Sequence, residues 1–397
     1  MQMDTVTYPD PSLVELLAQF ALVKVDHDAE KELVKQFGVG ALPDVRLLAP
    51  DGRELDKLLG FTSAARLRTH LQAALDRLAG RAPEPSEKAE DSPAPVEATA
   101  AAIERATQRG VSALRLAWRQ GLPPSSPMLA PEELVLYAWS AAGLRRGDAD
   151  VDSLLERILA QPPAGTYRAA LRALALDRLD PERLRSEIET CARWLESAQL
   201  GNGRWTYGSV KPGDANPGDA SNSAYALLGL AACERSGVAV SRDVVERAQA
   251  AWRTAQNEDG GFGYGPDRET DSYLSMTASG LHCLELARDR FGIGTAEADD
   301  RAIARAGAWL RDHFSARTNT GSTYQEGRRL YALYALERVH ALPPLARWLP
   351  QDWFEQGAGV LLALQAADGS FDDGAGMPVE NTCLALLFLT RASADAR

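Results

Sequence analysis

Gln199-x-x-Asn202-Gly203-x-Trp205, Gln256-x-x-Asp259-Gly260-x-Phe262 and Gln365-x-x-Asp368-Gly369-x-Phe371 are three copies of one pattern in a chain of 397 residues. A pattern that recurs at a fixed period commits a chain to like units that stack, because no single unit buries its own apolar face. Gln199 and Gln256 stand 57 residues apart and Gln256 and Gln365 stand 109 apart, close to two periods, so a worn copy belongs near His313, where Trp309 precedes Gly321 and Tyr324. Gln120 and Gln161 end two further helical runs without the aromatic, which makes six units. Each unit reads as a helix ending in Gln, a turn and a second helix. The first helix alternates polar and apolar faces, whereas the second, as in residues 223–232 and 277–287, is apolar nearly all round. A helix that is apolar on every side must be covered on every side, so the second helices form an inner ring and the first an outer ring. The expected fold is mainly α, a toroid of six helical hairpins over residues 99–397.

Within the turn, glycine permits positive φ as the helix ends, the aromatic ring packs over the turn, and Gln ties the helix end to it. The repeat resembles those of squalene-hopene cyclases and protein prenyltransferase β subunits over about three quarters of the chain. More broadly it is similar to bacterial prenyltransferase and squalene oxidase repeat proteins, on Gly218-Asp219-Ala220-Ser221-Asn222 with the small-residue run to Leu230, and on Glu380-Asn381-Thr382-Cys383 with the run to Leu389. The resemblance implies the terpenoid cyclase-like α/α toroid.

Residues 1–80 follow a different rhythm. A β-branched run at 20–26 predicts a strand, 29–36 a helix, 39–48 and 57–61 two strands about the turn Pro50-Asp51-Gly52, and 63–78 a second helix. This βαββα order resembles the later two thirds of a thioredoxin fold, on Val25-Asp26, Phe37-Gly38-Val39, Leu42-Pro43 and Asp51-Gly52. The redox chemistry of that family needs a Cys-x-x-Cys at a helix N-terminus. Residues 1–190 hold no cysteine, and the first strand and redox turn are not seen, so the expectation is an incomplete module, truncated at its N-terminus and without disulfide exchange. Residues 81–98, rich in proline and acid, read as a semi-extended linker.

A net charge of −12 and a pI near 5.1 oppose binding to a phosphate backbone, which sets nucleic acid aside. The longest apolar stretch, 384–389, is far below the roughly 18–20 residues that cross a bilayer. The start Met1-Gln2-Met3-Asp4 shows no signal peptide, which leaves a cytoplasmic or periplasmic location open. Cys191, Cys233, Cys283 and Cys383 stand singly in apolar helical runs and read as buried thiols.

The chemistry that the resemblance implies needs particular residues at the inner-helix starts. Cyclases protonate an alkene with the central acid of an Asp-x-Asp-Asp motif; the matching stretch is Asp219-Ala220-Ser221-Asn222, which puts Ser221 at the donor position, and a hydroxyl is too weak an acid. Prenyltransferases bind zinc through Asp, Cys and His at inner-helix starts; the matching stretches are Arg328-Arg329-Leu330-Tyr331 and Glu380-Asn381-Thr382-Cys383, with Asn381 in place of His, so no metal or other cofactor is expected. The five histidines, His27, His70, His282, His313 and His340, pair with no acid or thiol at ligand spacing. Asp299-Asp300 continues as Arg301-Ala302-Ile303 without the third acid of a diphosphate-magnesium cluster, Asp372-Asp373 lies in a repeat turn, and Asp148 reads as an N-cap. There is no nucleophile elbow, phosphate loop or Cys-Gly-Glu-Gln thioester motif.

What remains is a ring of polar residues at the starts of the inner helices, which alternating hairpins place at one end of the barrel: Asp219, Ser221 and Asn222; Asp271, Ser272 and Thr277; Arg328, Arg329 and Tyr331; Glu380, Asn381 and Thr382. The plain role for these residues is capping, with Asn222 and Thr382 as caps and the arginines paired to Glu326, Asp271 or Glu380. The sharper role is a ligand mouth built from Ser221, Asn222, Arg328, Arg329, Tyr331, Asn381 and Thr382. The expected function is a binding or interaction protein that has lost the family's catalytic groups, with a hydrophobic or anionic small molecule or another protein as partner. Two alternatives stand beside it: an isoprenoid cyclase of non-standard mechanism with Asp219, Asp271 or Glu380 as the acid, and a carboxylate-dependent hydrolase. The discriminating feature is the centre of the barrel, hollow and aromatic for a cyclase, filled for an interaction protein, an open acidic groove for a glycosidase.

Overall fold

The computed structural model describes residues 3, 7–27, 29–37, 39, 43–59, 64–79, 95–122, 130–209, 216–266, 269–322, 328–373 and 377–394. The chain divides into two compact units, residues 1–92 and residues 93–373 with 377–397.

In the first unit a 3-10 turn, Pro11–Leu13, leads into helix α1, Val14–Leu17, and α2 spans Lys31–Gln36. Strands β1, Asp44–Leu48, and β2, Glu54–Leu59, pair antiparallel with Asp44 opposite Leu59, and α3, Ala64–Leu78, follows. Gly52, at φ 84, makes the hairpin turn that Asp51-Gly52 forecasts. Leu13, Leu47, Leu58, Leu67 and Leu71 form the small core. The strand expected at 20–26 is not formed: among the described residues of this unit only β1 and β2 pair, and Leu22 and Val23 are 68% and 83% exposed. β-Propensity expresses itself only against a neighbouring strand, and this run has none to pack on. The order is therefore ααββα, without the first strand of the thioredoxin-like reading. Gly38, Leu42, Phe61 and linker residues 81–94 lie outside the described residues.

Among the described residues the second unit holds twelve α-helices in alternation: α4 Ala100–Arg119, α5 Pro131–Ala141, α6 Ala149–Leu159, α7 Thr166–Leu179, α8 Arg185–Ser197, α9 Ala220–Arg235, α10 Arg242–Thr254, α11 Leu274–Phe291, α12 Glu297–Asp312, α13 Arg329–Ala341, α14 Trp353–Leu364 and α15 Pro378–Leu389. Helices α5, α7, α9, α11, α13 and α15 each pack on the next, and α15 returns to α5, so the inner ring closes. These are the helices apolar all round; every residue of α9 from Ala220 to Cys233 is buried. The even-numbered helices lie outside, each burying one stripe, as Val244, Val245, Ala248 and Trp252 do on α10. Asp148 caps α6 by accepting from the amides of Asp150 and Val151.

The repeated turn joins one hairpin to the next. Gln199 Nε2 donates to Gly203 O at 3.1 Å and to Val244 O of the following outer helix at 2.9 Å. Gln256 does the same with Gly260 O and Ala302 O. Gln365 binds Gly369 O at 3.0 Å and Ala106 O at 2.8 Å, so the last copy fastens the end of the toroid to its first helix. Gly369 is required twice over, because its φ is 91 and a Cβ there would lie 2.5 Å from Arg109 O. The aromatic is held from the inside: the amides of Trp205, Phe262 and Phe371 donate to the hydroxyls of Ser223, Thr277 and Thr382 at 3.1, 3.0 and 2.9 Å.

The worn copy keeps its place with different groups. Asn319 Oδ1 accepts from the amide of Ser275 at 2.9 Å, and Asn319 Nδ2 donates to Ser275 Oγ at 3.1 Å. A 3-10 helix at Pro343–Trp348, which the repeat does not forecast, follows α13 and packs against α12, and Gly307 lies so close to Trp348 that a Cβ would meet its ring at 2.2 Å. Tyr324 and Glu326 lie outside the described residues.

Candidate functional site

The polar ring at the inner-helix starts divides into groups that hold the fold and groups that face inward. Asp219 is the N-cap of α9, and its two oxygens accept from Asn222, one from the amide at 2.8 Å and one from Nδ2 at 2.9 Å. The cap is therefore Asp219, with Asn222 in the first turn, a reversal of the expected role of Asn222. A carboxylate occupied by two N–H donors acts as an acceptor, not as a proton donor. Thr382 is not a cap either; it lies one turn inside α15, donates to Pro378 O at 2.6 Å and receives the Phe371 amide. Thr277 is spent in the same way, and Ser272 Oγ donates to Asp259 Oδ1 at 2.7 Å in the repeat turn. Asn381 Nδ2 is bound by Asp372 at 3.1 Å and Asp373 at 2.9 Å. Asp271 lies exposed in the loop ahead of α11. A hydroxyl or amide on an apolar inner helix is legible in sequence as polar, but only the fold tells a fastening from a ligand.

Ser221 and Tyr331 turn inward instead. Ser221 Oγ hydrogen-bonds the hydroxyl of Tyr167, and also that of Tyr331 at 2.9 Å. Ser221 sits on α9 and Tyr331 on α13, with α11 between them, so this contact crosses the centre of the ring. Two more contacts do so. Tyr137 on α5 meets Tyr334 on α13, hydroxyl to hydroxyl, at 3.3 Å. The guanidinium of Arg338 on α13 lies over Tyr225 of α9 at 5.5 Å and over Tyr334 at 5.0 Å. Tyr167 and Tyr225 pack at 4.4 Å between centroids, and Tyr207 and Tyr264 bond hydroxyl to hydroxyl at 3.0 Å. The bore is thus bridged by side chains, most of them tyrosines that the sequence reading did not single out beyond Tyr331. Their signal was present: Ser221 and Tyr225, and likewise Tyr331, Tyr334 and Arg338, recur at helical spacing on one face. Burial pushes the Tyr225 and Tyr334 hydroxyls well above the ordinary range, so both remain neutral donors.

Arg338 is 1% exposed. Its Nη2 donates to Ser279 Oγ at 3.1 Å, while Nε and Nη1 have no hydrogen-bond partner among the described residues. Burial, and then the charge of Arg338, hold His282 down to about 3, so it is a neutral core imidazole. Glu337 turns the other way: its Oε1 accepts from Ser393 N at 3.0 Å, and burial pushes its carboxyl up to about 7. Arg328 is exposed, Arg329 is buried at the first position of α13, and Glu380 is buried with Oε1 outside any hydrogen bond among the described residues. All four cysteines are buried free thiols, and burial pushes Cys191 up to about 12. Among the described residues no three His, Cys, Asp or Glu side chains gather as a metal site requires. A cleft of about 380 Å³ lies between the turns of two successive repeats, lined by Arg204, Ala248, Trp252, Asn257 and Thr270.

No protein-family profile matches the chain, and no curated protein matches it. Solved structures do. An unsaturated glucuronyl hydrolase specific for heparin is similar to 75% of this chain over 98% of its own, at 10% identity and a TM-score of 0.53. A possible member of the GH105 family from Salmonella enterica serovar Paratyphi A covers 98% of both chains at 11% identity and a TM-score of 0.44. A type II terpene cyclase from Scytonema covers 75% of this chain and all of its own, 100%, at 12% identity and a TM-score of 0.32. At 10% identity the first of these likenesses is one of fold, and the fold is the α/α toroid. No helix among the described residues is long and apolar enough to cross a membrane.

Proposed function

We propose that the chain is a non-catalytic binding or interaction protein on a terpenoid cyclase-like toroid. The bridged bore carries this reading. Ser221 with Tyr331, Tyr137 with Tyr334 and Arg338 with Tyr225 join inner helices that are not neighbours, so side chains cross the centre that an isoprenoid cyclase would need hollow. The first candidate acid, Asp219, is spent as a cap, and Asp271 stands outside on a loop. The exposed Arg328 and the half-buried Tyr331 form the part of the mouth that meets a partner, an anionic small molecule or an acidic protein segment.

A second reading, an enzyme with Glu380 as the acid, is favoured by the buried Oε1 of that residue, which no hydrogen bond holds among the described residues. Incubation of the full chain with squalene, geranylgeranyl diphosphate and an unsaturated glucuronide, followed by mass spectrometry, separates the two. The binding reading expects no product from any of them. Turnover that Glu380→Gln abolishes overturns it in favour of the enzyme.

A further inference from the structure

We infer that the interior of the toroid is a binding site for a small monoanion, a halide or a short carboxylate, seated against the guanidinium of Arg338. A guanidinium stays charged at any pH a protein survives, and a buried charge needs an opposite charge close by. Arg172, also buried, shows how this chain supplies one: its Nη2 donates to Glu133 at 2.9 Å. Arg338 has no carboxylate within ion-pair distance among the described residues. Its sequence neighbour Glu337 is engaged with Ser393 instead.

Among the described residues the groups around Arg338 supply no acceptor to Nε or Nη1. Ser279 Oγ accepts from Arg338 Nη2 and donates its own hydrogen bond to Ser275 O at 2.8 Å. Tyr225 and Tyr334 offer ring faces, which attract the cation but accept no N–H of Nε or Nη1 in the plane of the guanidinium. His282 is neutral and Cys283 is a buried thiol, so neither brings a negative charge. Water satisfies hydrogen bonds but leaves the charge uncompensated; a monoanion satisfies both. Arg338 lies nine residues into α13, roughly 13 Å below its first residue at 1.5 Å per residue, which favours a small anion over a large one. The site is separate from the mouth and stands or falls independently of the proposed binding role.

The test is thermal melting of the full chain at constant ionic strength, titrating chloride, bromide, formate and acetate against the bulky sulfonate HEPES. A saturable rise in midpoint of about a few degrees is expected with the fitting anion, from its binding to the folded chain alone. Halides and carboxylates are thereby told apart. The rise is expected to vanish in Arg338→Met. No saturable rise with any of the four, or the same rise in Arg338→Met, overturns the inference. Should Arg338→Met fail to fold, crystals of the wild type grown in bromide and in formate decide: an anomalous bromide peak or formate density beside Nε or Nη1 supports the site, and water alone there overturns it.

Discussion

Glu337 and His282 lie in the same apolar interior and pull stability in opposite directions with pH. The carboxyl of Glu337 has its folded value raised to about 7 from 4.5, so the unfolded chain gives up its proton first. Stability is lost as pH rises from about 4.5 to about 7, and the loss is complete above that, on the order of a few kcal/mol. Glu337→Gln keeps an acceptor for Ser393 and carries no charge, so at pH 8 it is expected to be more stable than wild type, with a flatter profile between pH 5 and 7. Urea titrations across that range check it; a variant less stable at pH 8 contradicts the assignment. His282, held down to about 3, acts below its ordinary value of 6.5: the unfolded chain takes a proton that the folded chain refuses, and stability falls as pH drops. At the mouth, Arg329 is buried, so Arg329→Ala is expected to lower the melting midpoint, and pyrophosphate is expected to give wild type no protection that the variant lacks. A wild-type shift lost in the variant would make Arg329 a ligand-binding group.

At the scale of elements, the repeated turn is the part that was most legible. Its Gln, Gly and aromatic each forecast a contact, because a helix end must satisfy its carbonyls and a tight turn must place a residue at positive φ. What the spacing left unsaid is that Gln also reaches the next outer helix, since a tie across 259 residues, from Gln365 to Ala106, has no local signature. Gln365→Ala removes both of its bonds and is expected to cost about 1–3 kcal/mol; Gly369→Ala, which adds a Cβ against Arg109 O, is expected to cost at least as much. Chemical denaturation measures both, and a neutral Gly369→Ala would show that the closure is not where the structure puts it. The capping roles were less legible: Asp, Asn, Ser and Thr are interchangeable on paper near a helix start, and only burial and partners assign the cap to Asp219. Residues 20–26 went astray for the related reason that a β-branched run names a preference without naming a partner strand.

For the whole molecule, the closed ring of six hairpins followed from periodicity, because inner and outer helices differ in how much of their circumference is apolar. The filling of the ring did not follow, since residues that meet across a bore are separated by up to 197 positions, as Tyr137 and Tyr334 are, and share no local pattern. With Asn381 bound by Asp372 and Asp373, the purified chain is expected to carry no stoichiometric zinc, and elemental analysis that finds about one per chain would refute this. The centre itself is most directly probed by Tyr334→Ala. Tyr334 is 1% exposed, meets Tyr137 and carries Arg338 over its ring, so in a bridged bore its loss opens a cavity. Equilibrium unfolding in urea is expected to show a loss of about 3–5 kcal/mol; a change below about 1 kcal/mol, the range of an ordinary surface substitution, would mean that the bore is a hollow with room for a substrate and that the binding account is mistaken.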